Sequence, residues 1–470
     1  AVMGQSVRRA VKGGFRSWLD RFECLEGNEA TARELRAMLP GMLVEQVAAV
    51  FLELVNVFVS GFFSTAAMAG VGQINTVNSV LMNLFQAFAI GGTAIVSQHA
   101  GAARRGEAAR NAFSALTLGL TVSVVITALI FALRGEFVML LFGDAEAEVI
   151  ASSNVYFGFT ALAPPLWFIY FQCCGFMRAT GDTKRPMYVS IVLNVSSLAL
   201  NLALTFALDM GVTGTALSYL LSLAIAAALS LAMVLRRGFE LRPKRCGAGE
   251  LAANIRAITA ISVPSSAENL MFNGSRIVLQ SFLAGMGAAM ISGNSVFNSV
   301  NGIFNVPVMA LYYLTIPIVG RCAGEGDCER VSCALKFMVR KNLVWSVPVA
   351  LCHLLLGIPF SLIFSRDWEV VVVAAGMLAI YSPFALMQDG SFILPNGFKA
   401  VGDAKFAMVV SSCTAWIVRV LGTWILGVRL GWGAYAIALT QGVDTAIRSA
   451  LYHARFRRGT WLKYMFPEKK

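Results

Sequence analysis

Hydrophobic stretches long enough to cross a bilayer, about 20 residues each, follow one another along almost the whole chain. That succession restricts the fold more than any other feature. In lipid every backbone N–H and C=O must be paired within the protein, so such segments become transmembrane helices. Apolar residues make up 57% of the 470 positions and charged residues only 14%. The mean hydropathy is +0.68. A soluble domain of this length carries far more charge on its surface.

Six spans are predicted near 38–62, 73–98, 114–133, 152–175, 187–208 and 212–235. Six more are predicted near 257–284, 289–318, 342–364, 370–395, 406–428 and 432–454. Pro383 and Asp389 weaken the tenth, and asparagines weaken the fifth. The expected fold is an all-α integral membrane protein of about twelve helices.

The formal net charge is +12. It does not point to nucleic acid, because the basic residues sort by topology. Outside the spans, only Arg134, Arg366 and Arg429 fall in alternate loops; the other Lys and Arg flank the termini and every second loop. By the positive-inside rule both termini are expected to be cytoplasmic, in a plasma membrane. Residues 3–36 are rich in arginine and lack the apolar core of a signal peptide. Nine cysteines show no metal-ligand or CxxC spacing, and Cys173-Cys174 reads as two small apolar residues inside a span.

The chain repeats itself. Arg178-Ala179-Thr180-Gly181-Asp182-Thr183-Lys184 follows the fourth span, and Lys399-Ala400-Val401-Gly402-Asp403-Ala404-Lys405 follows the tenth. Asn75-Thr76-Val77-Asn78 matches Asn298-Ser299-Val300-Asn301, and Glu45-Gln46 matches Glu268-Asn269, all at nearly the same spacing. Six spans per repeat is an even number, so the two lobes are parallel repeats around an axis along the membrane normal. The expected organisation is a cytoplasmic segment over 1–37, an N-lobe over 38–236, a basic linker over 237–256, a C-lobe over 257–455 and a cytoplasmic tail over 456–470. Two pseudo-symmetric lobes facing a central cavity form a transporter architecture.

Ionisable residues inside spans are costly and usually face protein or water. Glu45, Glu53 and Asn56 cluster on one side of span one. Asn269, Asn273, Arg276 and Gln280 stand at i, i+4, i+7 and i+11 in span seven, with Glu268 beside them. Both stripes are expected to line the cavity, with Asn298, Asn301 and Asp389. Glu268, Glu53 and Glu45 are the candidate coupling carboxylates. Glu53 and Arg276 occupy equivalent positions in the two repeats, which raises the prospect of a pair across the cavity. Asp444 and Arg448 at i, i+4 form a helical ion pair that Arg419 joins, a structural network rather than a site. The Gly181-Asp182 and Gly402-Asp403 loops, with Arg178, are also expected to be structural: glycine supplies a positive φ and aspartate caps the next helix. No Walker A motif occurs, so ATP drive is not expected. No metal site or enzyme triad is suggested, and no cofactor is expected.

These residues resemble a known family. Arg178 to Met187, and Pro395-Asn396-Gly397-Phe398-Lys399-Ala400-Val401-Gly402-Asp403, are similar to paired signatures of the multidrug and toxic compound extrusion (MATE) transporters. Val96-Ser97-Gln98, Val263-Pro264 and Met271-Phe272 fit as well. The resemblance implies a monomeric secondary antiporter that exports small amphipathic, cationic organic compounds across the lipid bilayer in exchange for Na⁺ or H⁺. Many prokaryotic members carry an aspartate in a Leu-Val-Asp context in the first helix; here Leu54-Val55-Asn56 stands there, and Asn56 cannot titrate. Glu53 or Glu268 is expected to take that part. The alternative reading is a lipid-linked precursor flippase of the related superfamily, for which Arg276 would offer a phosphate-binding charge.

Overall fold

The computed structural model describes residues 29–60, 65–136, 139, 147–236 and 239–465; the side chains at 52–60, 65–70, 73, 147, 148 and 206 are outside that description. The expectations placed on Glu53, on Asn56 and on residues 1–28 therefore lie outside the described residues.

Among the described residues the regular structure is helical, without strands. The first half supplies α1 (Glu29–Ser60), α2 (Thr65–Gly101), α3 (Arg105–Ala132), α4 (Ala147–Thr160), α5 (Pro164–Ala179), α6 (Lys184–Asn201) and α7 (Gly211–Leu235). The second supplies α8 (Ala248–Ala284), α9 (Ala288–Phe304), α10 (Val306–Gly324), α11 (Cys328–Leu355), α12 (Gly357–Phe364), α13 (Trp368–Ala385), α14 (Asp389–Val401), α15 (Ala404–Thr414) and α16 (Ala434–Arg458). Wide π-type turns extend α6 through Leu202–Ala207 and α15 through Ala415–Leu421 and Trp424–Arg429. Counting each broken helix as one crossing gives twelve crossings, six per lobe.

The breaks have local causes. Pro164 and Pro165 open α5, and the crossing shared by α4 and α5 bends by 46° there. At Gly357 the ninth crossing turns by 69°. The eighth is interrupted at Asn305, shortly ahead of Pro307. The tenth stops at Ala385, just after Pro383, and resumes at Asp389. Seven described helices have the length and hydropathy of a span, and the two bent pairs make nine. Polar stripes lower the hydropathy of others, α8 among them. That helix starts at Ala248, ahead of the predicted span start at 257.

One apolar cluster ties the first helix to the second half of the chain. Met38 and Met42 of α1 pack with Leu311, Leu314 and Ile318 of α10, Leu335 of α11 and Phe398 of α14. A second fills the N-lobe with Phe85, Trp167, Phe168, Cys173 and Cys174, all buried. The linker after α7 lies along α3: the Lys244 amide donates to the Ala109 carbonyl at 3.0 Å, and Glu250 pairs with Arg110.

Candidate functional site

A cavity of about 800 Å³ lies within the N-lobe and is roofed by the C-lobe. Its N-lobe wall is rich in amides and hydroxyls: Gln46 on α1, then Asn75, Asn78, Asn83 and Gln86 on α2, and Tyr156 and Tyr170 on α4 and α5. On α6, Ser190, Asn194, Ser197 and Asn201 follow at i, i+4, i+7 and i+11, so one helical face turns inward. The roof consists of Asn269 on α8, Tyr312, Tyr313, Ile316 and Pro317 on α10, and Asn396 on α14. Met82, Ile90, Phe171 and Leu193 add apolar surface.

Several of these groups hold one another in place. Tyr156 donates its hydroxyl to Asn75 Oδ1 at 2.9 Å. Gln86 Nε2 donates to the Tyr313 hydroxyl at 3.1 Å, across the lobe boundary. Asn396 Nδ2 donates to the Tyr312 carbonyl at 3.0 Å. Others keep unused capacity: both amide atoms of the buried Asn78 and Oδ1 of Asn194 have no protein partner. Polar atoms left free in a buried wall are ready to bind a solute or water.

Among the described lining residues the charged ones are Glu45 and Arg178, and they form an ion pair with each other. The equivalent pair recurs in the C-lobe, where Lys399 Nζ lies 2.7 Å from Glu268 Oε2. Each pair links the first helix of its lobe to the end of the fourth crossing, one turn ahead of the Gly-Asp loop. Sequence reasoning singled out both carboxylates as coupling candidates but did not foresee their cations.

The span-seven stripe does not act as one surface. Asn269 enters the cavity roof, and Asn273 Nδ2 donates to Asn269 Oδ1 at 2.7 Å. Asn273, Arg276 and Gln280 are not part of this cavity's lining; Arg276 and Gln280 are exposed further along α8. Of the paired amides, Asn75 and Asn78 line the cavity, whereas Asn298 and Asn301 do not. Asn298 donates to the Asn294 carbonyl at 2.8 Å, and the Asn301 side chain accepts from Asn305 Nδ2 at 2.7 Å. Asp389 also lies outside the lining. It opens α14 after the break, buried, with His453 Nε2 at 3.3 Å and the Ser449 hydroxyl at 3.4 Å.

Further into the C-lobe, Asp444 accepts from Arg448 Nε at 2.9 Å and lies 2.8 Å from Arg419 Nε. Phe272 of α8 stacks under both guanidiniums, at 4.7 and 5.4 Å. Glu268 and Phe272 are one turn apart on α8, so this network adjoins the Glu268–Lys399 pair. The Gly-Asp loops adopt the expected backbone, with φ of 84° at Gly181 and 103° at Gly402. Asp182 Oδ1 accepts from the Lys184 and Arg185 amides at 2.9 and 3.2 Å. Asp403 instead takes Arg455 Nε at 2.7 Å. Burial pushes the Asp403 carboxyl above its ordinary range, and Arg455 works against that shift.

The sequence profile of the MatE family matches this chain twice, over residues 40–203 and 264–425. The chain belongs to the MatE family. The two matches cover equivalent stretches of the two lobes, in line with the internal repeat. Among curated relatives, the uncharacterized transporter YisQ of Bacillus subtilis is 22% identical over 412 residues, covering 85% of this chain and 89% of its own length. The probable multidrug resistance protein NorM of Thermotoga maritima is 23% identical over 439 residues, covering 91% of this chain and 92% of its own. A crystal structure of MATE in complex with MaL6 superposes with a TM-score of 0.85 at 16% identity, covering 92% of this chain and 96% of that one. This MatE-family protein is thus a multi-pass membrane transporter with the two-lobed MATE fold.

Proposed function

We propose that this transporter is a secondary antiporter of the cytoplasmic membrane, with both termini in the cytoplasm. It exports small amphipathic organic compounds, cationic ones among them, in exchange for Na⁺ or H⁺ by alternating access. The observation that carries this reading is the cavity itself. Amides and aromatic rings line it, the opposite lobe closes it, and a largely buried carboxylate, Glu268, adjoins its roof. Rings and alkyl groups of a solute pack on Phe171, Met82 and Leu193, while Asn78 and Asn194 supply hydrogen bonds at its polar edge. The multidrug-resistance name carried by the Thermotoga relative supports the cargo class. The asymmetry of Lys and Arg between alternate loops supports the orientation.

Glu268 is proposed as the principal coupling carboxylate. Gain and loss of a cation at this group biases the two lobes between outward- and inward-facing arrangements, as differential binding to two states requires. Reconstitution into liposomes tests the reading, with pH and Na⁺ gradients imposed separately while efflux of a fluorescent organic cation is followed. Efflux driven by one of these gradients is expected. Efflux that proceeds equally with no gradient would overturn the proposal.

A further inference from the structure

We infer that the N-lobe cavity selects its cargo by clustered hydroxyl groups rather than by charge. The ligand class is a neutral ring compound bearing several hydroxyls, the chemistry of an aromatic glycoside. The inference rests on the transport reading above and names the cargo within it.

The charges of the site cancel. Among the described lining residues the two charged ones neutralise each other, Glu45 against Arg178. The carboxylate that adjoins the roof, Glu268, is likewise matched by Lys399 at 2.7 Å. A cation that leaves water for this space gains no free counter-charge, and burying an unpaired charge is expensive. Aromatic faces offer a partial substitute. One of them is already engaged, because the Arg178 guanidinium stands 5.9 Å from the centre of the Tyr313 ring. A neutral solute avoids that cost. Cationic cargo is held here through its rings, and its charge adds little.

The hydrogen-bonding groups point to hydroxyls. Asn75, Asn78, Asn83 and Gln86 stand at i, i+3, i+8 and i+11 on α2, and Asn194 and Asn201 lie two turns apart on α6. A primary amide carries both donors and an acceptor, and a hydroxyl also acts in both senses. A wall of amides therefore receives a hydroxyl either way round, whereas an ammonium only donates and a carboxylate only accepts.

Part of this capacity is held ready. Asn194 gives its Nδ2 to the Ser190 carbonyl at 2.8 Å, which leaves its Oδ1 as an acceptor without a protein partner. Asn78 is only 4% exposed, and neither of its amide atoms has a protein partner. A buried amide in that condition is costly until a ligand or water completes it. Tyr219 adds a flat face fixed from behind, since Trp167 Nε1 donates to its hydroxyl at 3.0 Å. Such rings cover the apolar face of a sugar or a planar ring system while their hydroxyl edge stays polar.

Equilibrium binding to the full chain in lipid nanodiscs, free of sugar detergents, tests this with three coumarins. Methylumbelliferyl glucoside carries the ring and the hydroxyls. Methoxymethylcoumarin carries the ring alone, and the same coumarin with a quaternary ammonium adds only charge. Binding to empty nanodiscs is subtracted. The glucoside is expected to bind about tenfold or more tighter than methoxymethylcoumarin, and the ammonium compound within about twofold of it. Asn78→Leu and Asn194→Leu should each weaken the glucoside about tenfold and leave methoxymethylcoumarin near its wild-type affinity. A glucoside no tighter than methoxymethylcoumarin, or an ammonium compound about tenfold tighter than it, would overturn the inference. Both comparisons are made on the wild-type protein, so they hold whether or not the variants fold. Variants that keep the full preference for the glucoside would overturn it too. No gradient is imposed, so such a result is distinct from a failure of gradient-driven efflux.

Discussion

Gly101 and Gly324, which occupy equivalent positions in the two repeats, each close onto the helix that carries the other. A Cβ on Gly101 would run into the carbonyl of Arg321 on α10, and a Cβ on Gly324 into the carbonyl of Gln98 on α2. Gln98 and Arg321 are themselves equivalent positions, so the contact repeats itself across the pseudo-twofold axis. The side chains extend the exchange. Gln98 Nε2 donates to the Ala400 carbonyl beside the second Gly-Asp loop at 2.6 Å. Arg321 reaches back to Glu34 on α1 and lies over Gly181 in the first loop. The two lobes are thus closed on each other at this end of the bundle, and α2 and α10 must part here for the cavity to open toward it.

Gly101→Leu and Gly324→Leu should each hold these helices apart and favour the state open at this end. Hydrogen exchange over 178–184 and 399–405 should accelerate about tenfold in each variant, the equivalent of about 1.4 kcal/mol of lost closure. Unchanged exchange in both variants would mean that the close approach is not a gate.

Arg321→Gln should act in the same direction by releasing Glu34. Arg321→Gln and Glu34→Gln should be non-additive in the same exchange measurement, since each removes the same pair. Strictly additive effects would show that the two residues act separately.

The two loop aspartates should differ despite their matching positions. Asp182→Ala removes a partly exposed helix cap, a loss of about 1 kcal/mol. Asp403→Ala leaves the half-buried Arg455 without its carboxylate and should cost about 3 kcal/mol. Thermal unfolding in detergent should rank Asp403→Ala well below Asp182→Ala, while cargo affinity stays near wild type in both. Much weaker binding with normal stability would contradict a structural role.

Asp444→Asn should be more damaging still. It leaves Arg419 and Arg448 buried around a neutral amide, and the yield of monodisperse protein should collapse. Asp389→Asn should be mild, because Asp389 faces the partly exposed His453 and one hydroxyl. Equal yields for the two variants would rule out this ranking.

Much of the architecture was legible because bilayer thickness and backbone hydrogen bonding leave a chain this apolar few options. The repeat was legible because both lobes keep the same Gly-Asp loop at the same spacing. The cavity was legible only in part. The Ser190, Asn194, Ser197 and Asn201 stripe has the same spacing as the span-seven stripe that drew attention, yet its asparagines read as a weakness of the fifth span. The cations opposite Glu45 and Glu268 were hidden for a different reason. Arg178 and Lys399 read as loop residues, whereas helical geometry carries each inward, one turn before the turn-forming glycine. Asp389 lay beyond reach as well, since its partner His453 comes from α16, far along the chain, and no local pattern announces that meeting.

Gradient-driven efflux by Glu268→Gln tests the central claim most directly. The variant should fold, insert and still bind a fluorescent organic cation in liposomes. Its efflux under the pH or Na⁺ gradient that drives wild type should fall to the level of liposomes without a gradient, while wild type concentrates the cation against its own gradient. Full gradient-driven efflux by Glu268→Gln would remove Glu268 from the mechanism.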